Sequence, residues 1–169
     1  DVTITDADSA TVVNVTAGGK ITTADNSIIA ALSPTLDAGK TVTANVEAAT
    51  ELTVGGAKTI TVVDDAATAT LTTVNATVKT EATTIDLLGS SAITSVSVAG
   101  DQDYTLVMDA NDIEQNADND FTLSDTTTAG TSTLKLSTTA GTVDASGIVV
   151  DTIDLAVSNA SKTLTVASG

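Results

Sequence analysis

The sequence predicts an all-β fold, a parallel β-solenoid (β-helix) of short strands, on three observations. Threonine is its commonest residue, about one in five, and branching at Cβ favours the extended chain. Aromatic residues make up 1% of the chain, Tyr104 and Phe121, with no tryptophan. Small aliphatic side chains must then fill the interior, which suits a narrow, repetitive core. Apolar phrases also recur at near-constant spacing: Val63, Val74, Ile85, Val96 and Val107 stand at successive steps of 11, a degenerate repeat with solenoid-like regularity. The alternative is an immunoglobulin-like β-sandwich, since hairpins produce similar spacing. The scarcity of Asn-Gly and Asp-Gly turns weighs against it.

Alternation with a period of two places the strands in order. They run from Val2 to Thr5, Thr11 to Val15, Lys20 to Thr23, Thr41 to Val46, Glu51 to Val54, Thr59 to Val63 and Ala69 to Val74. The pattern continues from Thr84 to Leu87, Ile93 to Val98, Tyr104 to Met108, Phe121 to Leu123, Thr133 to Ser137, Val149 to Leu155 and Thr163 to Val166. Three strands open on one phrase, Lys-Thr-aliphatic-Thr, at Lys40, Lys58 and Lys162. Small residues before each lysine suit a turn, and the lysine keeps its charge in water at the strand mouth. One stretch follows a different period. In NSIIAALSPTLDAG, Ile28, Ile29 and Leu32 share a helical face before Pro34 breaks it, which predicts a short helical turn.

At 169 residues the chain reads as one all-β domain, residues 1–169, long enough to bury a core. It opens directly on a strand pattern without an initiator methionine, so it reads as an excerpt or processed piece of a longer secreted protein. The formal net charge is −16, with six lysines, no arginine and no histidine. Nucleic acid and anionic membranes both require cationic contacts, so neither is an expected partner. No apolar run approaches the ~20 residues needed to span a bilayer, so membrane insertion is not expected.

Chemistry that needs a histidine or a thiol is excluded, because the sequence has neither. Paired carboxylates remain, but there is no arginine and a single tyrosine for a sugar-processing cleft, and the expectation is that the chain is not an enzyme. The densest polar cluster is MDANDIEQNADND, residues 108–120. Within this acidic insert loop, 109–120, Asp109, Asn111, Asp112, Glu114, Asp118 and Asp120 are candidate calcium ligands. Calcium takes several oxygen ligands from carboxylates and amides, and a cation would offset the cost of compacting so acidic a loop. The ligand order is not that of an EF-hand, and a solvated acidic loop is the competing interpretation. Asp6, Asp8, Asp64, Asp65, Asp101 and Asp103 fit turn chemistry better than ligation. Paired threonines at Thr3/Thr5, Thr41/Thr43, Thr59/Thr61 and Thr163/Thr165 raise a hydroxyl-bearing binding face, but their intervals of 38, 18 and 104 do not make one grid.

The Thr/Ala/Val/Asp-rich texture, together with LTTVNATV, TTIDLLGSSAITSVSVAG and GTVDASGIVVDTIDL, resembles the β-solenoid regions of secreted bacterial surface-layer proteins and related calcium-dependent RTX-type adhesins. The calcium-roll nonapeptide of those families, G-G-x-G-x-D, is not matched: Gly55-Gly56 is followed by Ala57-Lys58-Thr59. Any calcium would therefore bind irregular acidic loops. The resemblance implies a structural module of an extracellular, cell-surface assembly, a surface layer that self-associates with help from calcium. The expected partners are further copies of the chain, and cell-surface polysaccharide is a candidate. An adhesin, or an ice- or glycan-binding solenoid module, is the alternative.

Overall fold

A computed structural model describes residues 2–4, 12–16, 21–23, 31–35, 41–45, 50–55, 58–64, 69–79, 81–113, 121–138, 142–145, 147–157 and 163–165. In chain order the strands are β1 (Val2–Ile4), β2 (Val12–Thr16), β3 (Ile21–Thr23), β4 (Ala31–Thr35), β5 (Thr41–Asn45), β6 (Glu51–Gly55), β7 (Thr59–Val63) and β8 (Thr73–Val78). They continue with β9 (Thr83–Gly89), β10 (Ser95–Gly100), β11 (Tyr104–Asp109), β12 (Thr122–Thr127), β13 (Ser132–Thr138), β14 (Thr142–Asp144), β15 (Thr152–Val157) and β16 (Thr163–Thr165).

Successive strands alternate between two parallel sheets. The odd-numbered strands form one sheet in the order β1-β3-β5-β7-β9-β11-β13-β15, and the even-numbered strands form a second, β12-β10-β8-β6-β4-β2. A separate two-stranded sheet joins β14 to β16. Every strand pair among the described residues is parallel. The immunoglobulin-like alternative depends on antiparallel hairpins, so the sheet pairing corrects it. No helix among these residues is long and apolar enough to cross a membrane.

The 11-residue step finds its cause here. Val74 of β8 pairs directly with Val96 of β10, 22 residues on, while Ile85, halfway between them, belongs to the opposite sheet. Eleven residues therefore carry the chain from one sheet to the other. The phase slips at both ends of the series, where Ile85 pairs with Ile60 and Leu106 rather than with Val63 and Val107, which are only partly buried.

Inward-facing columns supply the core. In the odd-numbered sheet Ile60, Ile85, Leu106 and Leu134 stand in register, all fully buried. In the even-numbered sheet Leu52, Val74 and Val96 do the same, and the two sets belong to one cluster between the sheets. Burying each such side chain contributes roughly 1.5–3 kcal/mol.

The threonines between them form columns of their own. Thr41, Thr59, Thr84, Thr105, Thr133 and Thr152 form one in-register column along the odd-numbered sheet. Thr3, Thr22, Thr43 and Thr61 form a second beside it, which passes on to Asp86 and Val107.

The predicted helical turn is corrected where the structure describes it. Ala31–Thr35 is strand β4, paired with β2 through Val15 and Pro34. The proline is tolerated because the β4–β6 pairing covers only Ala31 and Leu32, so Pro34 lies beyond its end. Ile28 and Ile29 fall outside the described residues. Lys58 is exposed at the mouth of β7, as its phrase predicts, whereas Lys40 and Lys162 fall outside the description.

Regularity ends after β12. No pairing among the described residues joins β12 to β14, although β13 continues on β11 and β15 on β13. After Asp144 the chain turns, with the Ile148 amide donating to the Ala145 carbonyl at 3.2 Å and Gly147 at φ 84°. Only glycine adopts that backbone readily.

Candidate functional site

Of the predicted calcium ligands, Asp109, Asn111 and Asp112 are described, while Glu114, Asp118 and Asp120 fall outside the described residues. Asp109 closes β11, and the chain turns back on it. Its Oδ1 accepts from the Asn111 amide at 2.9 Å and from Asn111 Nδ2 at 2.7 Å, and its carbonyl accepts from the Asp112 amide at 3.1 Å. Buried Ile113 anchors the turn to the core. Burial, and then the charge of Asp109, push the Asp112 carboxyl up to about 6. The turn thus brings three of the six predicted residues together, with one Asp109 oxygen already engaged. Among the described residues no group of three or more acidic, histidine or cysteine side chains is placed to hold a metal ion.

A second polar constellation lies where the even-numbered sheet ends. The inward column Val54, Ala76, Val98 is continued on β12 by Asp125, a carboxylate where the fold places aliphatic residues. The facing column of the odd-numbered sheet is polar too. Thr83, Tyr104 and Ser132 stand in register, each buried, and Asp151 follows immediately before Thr152 in the next strand.

Hydrogen bonds knit these groups together. The Tyr104 hydroxyl donates to Asp125 Oδ2 at 3.0 Å. Asp125 Oδ1 accepts from the Thr127 amide at 2.8 Å and the Thr127 hydroxyl at 2.7 Å. Across the cleft, Asp151 Oδ2 accepts from the Ser132 amide at 2.7 Å and the Ser132 hydroxyl at 2.9 Å, while the Asp151 amide donates back to Ser132 Oγ at 3.0 Å.

Burial works to raise the Asp125 pKa, but the hydrogen bonds from Thr127 and Tyr104 outweigh it, and the carboxyl ends below its ordinary value. The Ser132 amide and hydroxyl lower Asp151. Burial first, and then Asp125, push the Tyr104 phenol well above its usual range. At neutral pH the site therefore presents two carboxylates and a protonated phenol. The phenol is committed to Asp125, so the site offers a ligand acceptor lone pairs and negative charge.

These groups border an open cleft of about 560 Å³ whose walls include Leu123, Asp125 and Thr127 on one side and Val149 to Asp151 on the other, with Ser132 between. Among the described residues that border it there is no lysine. Sequence reasoning passed over Asp125 and Asp151. The signal for Asp151 lay in the echo between TTIDL from Thr83 and DTIDL from Asp151, two members of the same polar column. Asp125 could have been found by laying TLSDTT under SVSVAG, which sets it beneath Val98.

The chain matches no protein-family model, no curated protein and no solved structure.

Proposed function

We propose that the chain is a parallel β-solenoid serving as a structural module of an extracellular bacterial surface assembly, a surface layer in which copies associate with help from calcium. The observation that carries this reading is the alternation of successive strands between two parallel sheets. In that arrangement each coil rests only on its neighbours, and a strand such as β12, with no further neighbour among the described strands, has an edge on which further polypeptide can pair. The charge of −16 supports a role for divalent cations, because close approach of such chains needs counter-charge. The Asp109–Asp112 turn and the acidic residues that follow it are where calcium is proposed to act. Cell-surface polysaccharide is the proposed anchor of the assembly, and no catalytic role is assigned.

Electron microscopy of the protein in its full-length context, with calcium and with chelator, tests the proposal. Ordered arrays or fibres that dissolve on chelation are expected. Absence of ordered assembly in both conditions overturns it.

A second reading is favoured by the in-register threonine column on the odd-numbered sheet. The four threonine pairs do not make one grid, since Thr163–Thr165 lies in the separate sheet, but the register aligns Thr41 and Thr59 with Thr84, Thr105, Thr133 and Thr152 in one line. Such a line of hydroxyl and methyl groups is a candidate face for ice or a glycan. Thermal hysteresis and glycan-array binding, compared between the native chain and Thr105→Lys, test it: no activity in either assay removes this reading.

A further inference from the structure

We propose that the side of β12 with no neighbour among the described strands takes up an extended peptide segment carrying a lysine or arginine, its backbone pairing with Leu123 and Asp125 and its cation lying between Asp125 and Asp151.

The backbone argument comes from the ladder. The Thr122 amide donates to Thr94 and the Thr128 amide to Gly100, so the even-numbered residues of β12 face β10. In a parallel ladder successive residues face opposite neighbours. The main-chain groups of Leu123, Asp125 and Thr127 consequently point to the side on which β12 has no neighbour among the described strands. The Thr127 amide is capped by the Asp125 side chain. Leu123 and Asp125 are left to pair with an incoming strand, the mode by which sheet edges capture extended peptides.

The side chains say what that strand should carry. Leu52, Val74 and Val96 are fully buried, but Leu123, the next member of their column, is only partly so. A strand laid over β12 would complete its burial. Val149, 77% exposed on the rim, offers a second apolar contact. Two residues along, the requirement changes from apolar to cationic, because Asp125 and Asp151 approach the cleft from opposite walls with no lysine beside them among the described residues. The partner is thus an extended polypeptide with a basic residue and an aliphatic one on the same face, two residues apart. The chain's own Lys-Thr-aliphatic phrase has this pattern, but in β7 it is paired on both sides, to β5 and β9. An interior strand of a second copy is therefore not the donor.

Tyr104 supplies the readout: it is the only tyrosine, there is no tryptophan, and its hydroxyl bonds Asp125. The full chain is titrated with the end-blocked heptapeptide Ala-Lys-Thr-Ile-Thr-Val-Val, which is itself non-fluorescent, and followed by tyrosine emission and by backbone amide shifts. Saturable binding is expected, with shifts centred on Leu123 and Asp125. Asp125→Asn should weaken it roughly tenfold, the loss of about one charge-assisted contact. Val149→Lys, at an exposed position that leaves the fold intact, should weaken it by repulsion. A peptide with glutamate in place of lysine should not bind.

The proposal is overturned if the heptapeptide does not bind, if it binds Asp125→Asn or Val149→Lys as tightly as the native chain, or if its shifts map elsewhere. Equal binding of n-butylamine would make the cleft a cation pocket rather than a strand acceptor. Concentration-dependent shifts of residues 123–127 without peptide would make the occupant a second copy. Either result overturns it, and both differ from the array test of the proposed surface-layer role.

Discussion

The Tyr104 hydroxyl donates to the Asp125 carboxylate at 3.0 Å, tying β11 to β12 across the interior between the two sheets. Tyr104→Phe removes only that oxygen. Asp125 keeps its Thr127 contacts, so the variant should fold with a loss of about 1–2 kcal/mol. Urea unfolding measures the loss. Carbon-detected titration should show the Asp125 pKa moving up, since one hydrogen bond to its ionised form is gone.

Asp125 is depressed in the folded state. Its contribution to stability is therefore present above the unfolded carboxyl value, about 3.9, and is lost as pH falls through the folded value below it. Native protein should lose stability on acidification below about pH 4. In Asp125→Asn that acid-side loss should be smaller, as judged by melting temperature against pH.

Asp112 carries the opposite sign. Its carboxyl titrates at about 6 in the fold, so the folded chain holds a proton that the unfolded chain has released between roughly pH 4 and 6. Stability from this group should fall as pH rises through that window. Asp112→Asn should stabilise the chain at pH 7 by on the order of 1 kcal/mol, allowing for solvent screening, and should remove the dependence. If calcium binds this turn, added calcium should stabilise the native chain at pH 7 more than matched sodium chloride does, and Asp112→Asn should blunt that difference.

Gly100 ends β10 with φ 140°, and a Cβ there would lie 1.8 Å from the Val78 carbonyl oxygen. Gly100→Ala should cost more than about 2 kcal/mol, because both the backbone and the neighbouring strand oppose it. Gly147, where a Cβ meets nothing within 4 Å, should tolerate alanine better despite its φ of 84°. Paired chemical denaturation of the two variants checks the order.

Asp64 is buried at the end of β7, 4% exposed, and its Oδ2 accepts from the Thr70 and Leu71 amides at 2.8 and 2.9 Å. Asp64→Ala leaves both amides without that acceptor and should cost roughly 3 kcal/mol by thermal melts. Asp64→Asn retains an acceptor oxygen and should cost distinctly less.

The architecture was legible because it rests on periodicity. Alternation along Thr59–Val63 and the step from Val74 to Ile85 to Val96 are properties of the chain itself, and register only converts them into columns. NSIIAALSPTLDAG misled because a few apolar residues near a proline satisfy either period, and strand pairing with Val15 decides between them. The threonine intervals rightly spoke against one grid of the four pairs, since Thr163–Thr165 lies in the separate β14–β16 sheet, but they concealed the column through Thr84, Thr105, Thr133 and Thr152, because the number of residues between paired strands varies. The cleft was hidden because Asp125 and Asp151 look like turn aspartates one at a time. Only their placement opposite each other, where the even-numbered sheet loses its next strand, gives them a shared role.

Beyond β12, β13 and β15 continue the odd-numbered sheet, while β14 pairs only with β16 among the described strands. Cooperativity in a stacked chain passes through the contacts between neighbouring strands, and beyond β12 no described strand continues the even-numbered sheet. The break should therefore act as a seam in unfolding. Segment 132–157 should exchange its amide hydrogens through an opening of lower free energy than the strands from β7 to β11. Under tension the chain should unzip there first, leaving the strands before it intact as a shorter and still cooperative unit.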